Sequence, residues 1–160
     1  GEWNLKEAIV RLGLKKAGAI AQQVKMMNTF VRPEDSSFDL RRFWEHSIGS
    51  AMCFEKICND KLVPLKEEIP FDTYWISSIL HDIGKMILGF FFWDHFQNVV
   101  TQMAEGRTDL ATFKEAEVEI GEAGHHERVG QMLLMKSNVR KELVEAVSSH
   151  HTVTENSSVL

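Results

Sequence analysis

Apolar residues that recur every three or four positions dominate this sequence and leave it little choice but helix. From Leu14 to Phe30, for example, Leu14, Ala17, Ile20, Ala21, Val24 and Met27 fall on one face of a 3.6-residue spiral. Only three prolines interrupt 160 residues, so helices are expected throughout, with no sheet. The length suits one domain, read as residues 1–160, with room for a substantial core. A hydrophobic share of 44% excludes a disordered chain. The longest apolar run, Met86 to Trp93, is far too short to span a bilayer and reads as part of a buried helix.

Caps and breakers divide the chain. Asn4 and Glu7 form a capping-box pattern that opens a short helix to Gly13, and the Leu14–Phe30 helix follows. Arg32 to Ser37 is a loop, and Asp39 caps a helix from Leu40 to Cys58. Pro64 and Pro70 mark a second loop. The next helix starts near Thr73, contains His81 and Asp82, and is perturbed or stopped near Gly84. Further helices are expected over Phe90–Glu105, from Thr108 or Asp109 to about Gly121–Gly124, over His125–Met135 and over Val139–His151. The chain reads as the core of a longer protein.

Charge and cysteine usage narrow the function classes. The net charge is -5 and no basic stripe runs along any segment, which argues against a nucleic-acid partner. No segment argues for a membrane. Cys53 and Cys58 lie five apart with no second pair, which is not a zinc module. They read as buried, reduced thiols of a cytoplasmic protein.

The seven histidines are His46, His81, His95, His125, His126, His150 and His151. Taken singly, most have ordinary explanations. His46 suits a core or surface residue, His125-His126 and His150-His151 suit surface pairs, and His95 is assigned to no site. Asp82 alone could be a helix cap, and Lys85 a solvated helix-end cation. The run Leu80-His81-Asp82-Ile83-Gly84-Lys85 is different. It sets an imidazole and a carboxylate among apolar residues, where an uncompensated charge is costly, and a metal ion is the simplest compensation. Mixed nitrogen and oxygen donors suit iron, manganese, nickel or zinc rather than calcium. Two such ions sharing a water would acidify it toward neutral pH for attack on phosphorus. Lys85, one turn from His81, could hold a phosphate as a point charge. Each ligand histidine would need an acceptor that fixes its tautomer, and Glu45, Glu117 and Glu119 are the candidates.

The run His81-Asp82-Ile83-Gly84-Lys85 resembles the signature of the HD superfamily of metal-dependent phosphohydrolases. The order of motifs is similar, more narrowly, to the HDOD domain, the HD-related output domain of bacterial signalling proteins. Ile9-Val10-Arg11-Leu12-Gly13 looks like that family's Ala-Ile-x-x-Leu-Gly entry helix, and Trp44-Glu45-His46-Ser47 with Ala51 looks like its Trp-x-His-Ser-x-x-x-Ala stretch. His126-Glu127-Arg128-Val129-Gly130 with Leu133-Leu134 and Ala146-Val147-Ser148-Ser149-His150-His151 complete the series. The resemblance implies a multi-helix bundle around a divalent-metal site, with flanking helices outside this chain. It implies His46, His81, Asp82, His126, His150 and His151 as ligands, with His126 preferred to His125. Asp82 and Lys85 are the candidate catalytic groups. No Gly-Tyr-Pro follows His151, which argues against the related phosphodiesterases of cyclic dinucleotides.

Three functions are then expected, in this order. The first is a signalling or regulatory module whose partner is another signalling protein. The second is a phosphohydrolase whose ligand is a nucleotide or other phosphate ester. The third is a di-iron oxygenase.

Overall fold

The computed structural model describes residues 10, 13–27, 37–63, 70–104, 117–118, 124–137 and 139–152. All regular structure among these residues is helical and no strand occurs among them, as periodicity led one to expect. The chain divides into two compact units, Gly1–Arg32 and Pro33–Leu160. In the first, helix α1 (Leu14–Met27) starts directly after Gly13, which adopts a φ of +82°. The expected helix from Asn4 to Gly13 lies outside the described residues except at Val10 and Gly13. So does the continuation of α1 to Phe30.

The second unit holds α2 (Leu40–Asn59), α3 (Phe71–Leu80), α4 (Ile83–Phe91), α5 (Trp93–Ala104), α6 (His126–Lys136) and α7 (Lys141–Ser149). Asp39 caps α2, and its carboxylate accepts a hydrogen bond from the Arg42 amide at 3.0 Å. Phe43, Ser47 and Ala51, spaced four apart, form the buried stripe of α2. Helix α2 packs on α3, α3 on α7, α7 on α6, α6 on α4 and α4 on α5. Trp75, Ile79, Leu80, Ile83, Met86, Leu88, Leu134 and Val147 fill the space between them and are fully buried.

The structure corrects four expectations. The helix carrying His81 does not run on to Gly84. It ends at Leu80, and Asp82, at φ −99° and ψ 14°, separates α3 from α4. Gly84 lies inside α4, where it lets two backbones meet. The run Met86–Trp93 is not one buried helix, because Phe92 leaves helical geometry and Phe91 and Phe92 are 53% and 52% exposed. The chain turns there by 119°, and no single helix among the described residues is long and apolar enough to cross a membrane. Cys53, which stands off the Phe43–Ser47–Ala51 stripe, is exposed, and Cys58, on the stripe but in the last turn of α2, is half-buried. Finally, α7 begins at Lys141 and stops at Ser149, so His150 and His151 sit in the turn beyond it. The expected helix between Thr108 and Gly124 lies outside the described residues, apart from Glu117, Val118 and Gly124.

Candidate metal centre

Helix ends build this site. His81 and Asp82 occupy the break between α3 and α4, His126 opens α6, and His150 and His151 follow α7. Only His46 comes from mid-helix, next to the buried Ser47 of α2. Neighbours on a helix face different directions, so the turn at Asp82 is what lets His81 and Asp82 converge.

Asp82 is the hub, 2% exposed. Its Oδ2 lies 2.7 Å from Lys85 Nζ, 3.1 Å from His46 Nε2 and 3.3 Å from His81 Nε2. Its Oδ1 lies 3.4 Å from His126 Nε2 and 3.5 Å from His150 Nε2. Two groups of donor atoms within 4.8 Å of one another result, His46–His81–Asp82 and Asp82–His126–His150–His151. Asp82 belongs to both, one carboxylate oxygen facing each.

The second nitrogen of three rings fixes what the first can do. His81 Nδ1 faces the Ser78 carbonyl at 2.7 Å and His150 Nδ1 faces the Val147 carbonyl at 2.9 Å. His126 Nδ1 faces both oxygens of Glu117, at 2.7 and 2.8 Å. An oxygen acceptor there assigns the hydrogen to Nδ1, and in the neutral ring Nε2 is then a bare lone pair. His126 Nε2 and His150 Nε2 are 3.2 Å apart, so two lone pairs confront each other without a proton between them. His46 Nε2 and His81 Nε2 are also 3.2 Å apart. Asp82 Oδ1 and His151 Nε2 are buried and make no hydrogen bond. A divalent cation in each donor group answers these together, and the donors fit iron, manganese, nickel or zinc.

The electrostatics agree. Burial alone would raise the Asp82 carboxyl, but the His150, His46 and His81 rings around it and the charge of Lys85 hold it well below the usual carboxylate range. Burial lowers His126 to about 3, with help from the Lys85 charge, so the ring is neutral at pH 7. Burial and the neighbouring His150 and His126 lower His151 to about 4. Burial pushes Glu117 up to about 7, against a hydrogen bond from the His126 backbone.

Lys85, the candidate cation for a phosphate, has its Nζ 2.7 Å from Asp82 Oδ2, among the same groups as the histidines. Of the three candidate orienting acids, Glu117 is the one that holds a site histidine. Glu45 is exposed and pairs with Arg41 at 2.9 Å, and Glu119 lies outside the described residues. His125 is the N-cap residue of α6 and belongs to neither donor group, its Nδ1 3.6 Å from Glu117 Oε2. His95, half-buried on α5, is also in neither.

Glu127 escaped the sequence reading. It is buried, and its Oε1 accepts the His151 amide at 3.1 Å, which ties the turn after α7 to α6. The only sequence signal was an acid directly after His126, which reads equally well as an ordinary first-turn charge.

Glu117→Ala is expected to weaken metal binding about 10- to 100-fold, because the His126 ring loses the acceptor that fixes its tautomer and orientation. A metal titration that gave equal affinities for the variant and the wild type would contradict this role.

The family model for the HDOD domain matches residues 3–153 of the chain. No curated protein and no solved structure matches it.

Proposed function

The chain belongs to the HDOD domain family, and on that premise we propose that it is a regulatory, signal-transducing domain of a bacterial protein, built around a divalent-metal centre. The observation that carries this reading is the Lys85–Asp82 contact of 2.7 Å. The carboxylate shared by both donor groups has a cation of the protein's own beside it. The centre therefore has a defined charge balance without metal and a different one with it, which is what a sensor or a structural switch needs. The partner on this reading is another signalling protein, and a cytoplasmic, reducing setting goes with the two free thiols.

One observation favours a phosphohydrolase as the second reading. A cavity of about 440 Å³ reaches His46, Asp82 and Lys85. Divalent ions bound there would supply an acidified water for attack on a phosphate ester. Lys85 would have to leave Asp82 to meet the substrate's charge.

Turnover separates the two readings. The protein at its natural length, loaded with iron, manganese or nickel, is expected to show no turnover above the metal-free control on a panel of nucleotides and generic phosphate esters. A metal-dependent rate that disappears in Asp82→Ala would overturn the regulatory reading and establish the hydrolase.

A further inference from the structure

We propose that Lys85 is a built-in competitor for one of the two metal positions. The centre then takes its ions in order, the first at Asp82, His126, His150 and His151, and the second, exchanging with solution, at His46, His81 and Asp82. This rests on the metal-centre reading and names how that centre is regulated.

The two oxygens of Asp82 keep different company. Oδ1 is buried, makes no hydrogen bond, and faces His126 Nε2 at 3.4 Å and His150 Nε2 at 3.5 Å. His151 Nε2, of the same donor group, is also buried without a hydrogen bond. His126 and His150 direct their Nδ1 hydrogens to Glu117 and to the Val147 carbonyl. This group therefore offers lone pairs and a carboxylate oxygen, and an ion enters it without displacing a hydrogen bond from Oδ1. Oδ2 differs. Lys85 Nζ lies 2.7 Å from it, closer than His46 Nε2 at 3.1 Å and His81 Nε2 at 3.3 Å. An ion held by those two rings and Oδ2 must displace the ammonium or bind against its charge.

Donor number and exposure act in the same direction. The Oδ1 group has four residues, with His126 fully buried among them, and the Oδ2 group has three, with the His46 side chain 54% exposed. An ion with fewer protein ligands and solvent beside it keeps coordinated water and exchanges more readily. Lys85 also has somewhere to go. A cavity of about 440 Å³ adjoins it, and the Asp39 side chain stands on the same wall. The flexible lysine stem can carry the ammonium from Asp82 into that space. Arrival of the second ion thus moves a charged side chain, which is how metal occupancy reaches the surroundings of the centre.

The test titrates the full chain with manganese, by calorimetry and by electron paramagnetic resonance, in the wild type, Lys85→Met and His46→Ala. The wild type is expected to bind in two steps. The first gives the spectrum of an isolated manganese ion and the second that of an exchange-coupled pair. Lys85→Met removes the charge and keeps the length of the side chain. It is expected to tighten the second step about tenfold or more, and the first by much less. His46→Ala, at an exposed position, is expected to lose the second step and keep the first. Lys85→Gln makes the same comparison should the methionine variant not fold. A second step no tighter in the Lys85 variants, both steps tightened alike, or a first step lost in His46→Ala would each overturn the proposal while the metal centre stands. Manganese uptake by none of the proteins would overturn the metal reading itself, and the proposal with it.

Discussion

Asp82→Ala is expected to abolish metal binding and, with it, the response of thermal stability to a chelator. Both donor groups contain Asp82, so one substitution removes the only carboxylate from each. What remains is a set of imidazoles beside Lys85, whose charge repels a dication. An ion that binds only the native state stabilises it by about 3 to 4 kcal/mol when free metal exceeds its dissociation constant a hundred- to a thousand-fold. For a chain of this length each kcal/mol moves the melting temperature by about 2 to 4 °C. A chelator should therefore lower the wild-type melting temperature by roughly 6 to 16 °C and leave that of Asp82→Ala unchanged. The variant should also melt below the chelated wild type, because Lys85 loses its 2.7 Å contact with Asp82. Equal chelator shifts in the two proteins would refute the role given to Asp82.

Gly84→Ala is expected to be the most damaging single-methyl change in the core. A Cβ at this position would run into the His126 carbonyl oxygen, with the carbonyl carbon at 2.7 Å and the Gly130 amide nitrogen at 2.9 Å. All three are backbone atoms, so no side chain can swing aside, and α4 must move away from α6. The cost should be about 3 kcal/mol or more, at the upper end for overpacking. Because α4 follows Asp82 and α6 begins with His126, the same shift should also weaken metal binding. Gly49→Ala is the control, since nothing lies within 4 Å of its Cβ. In the middle of α2 that change should stabilise by up to about 1 kcal/mol through helix propensity. Urea midpoints for the two variants give the comparison, and a Gly84→Ala midpoint equal to the wild type would contradict the close approach.

What the sequence disclosed and what it hid follow one physical line. Helix α2 was legible almost to the residue because its signals are local, an Asp cap and a stripe spaced by four. The convergence of His46, His81, Asp82, His126, His150 and His151 could be expected from their motifs in order, and the structure brings them together. The break at Asp82 could not be read locally. Gly84 is the weaker helix former, yet the chain turns at Asp82, where partners from α2, α6 and the turn after α7 hold the carboxylate. Those partners come from far along the chain, and tertiary contacts override local propensity. The same holds for Glu117. Three acids were equivalent in sequence, and only folding decides which one meets His126 Nδ1. For Lys85 the i,i+3 relation to Asp82 gives proximity without direction, so its contact with that carboxylate is visible only in the fold. Phe91 and Phe92 were read as buried because hydropathy is blind to a bend at Phe92.

The central claim is that one carboxylate organises the whole centre, and metal content per chain tests it most directly. Wild-type protein and Asp82→Ala should be loaded with manganese, freed of excess by gel filtration and measured by elemental analysis, with circular dichroism to verify that the variant is folded. The account predicts two ions per chain in the wild type, one for each donor group, and none in Asp82→Ala. A wild type that retains no ion, or an Asp82→Ala protein that retains as many as the wild type, would contradict it.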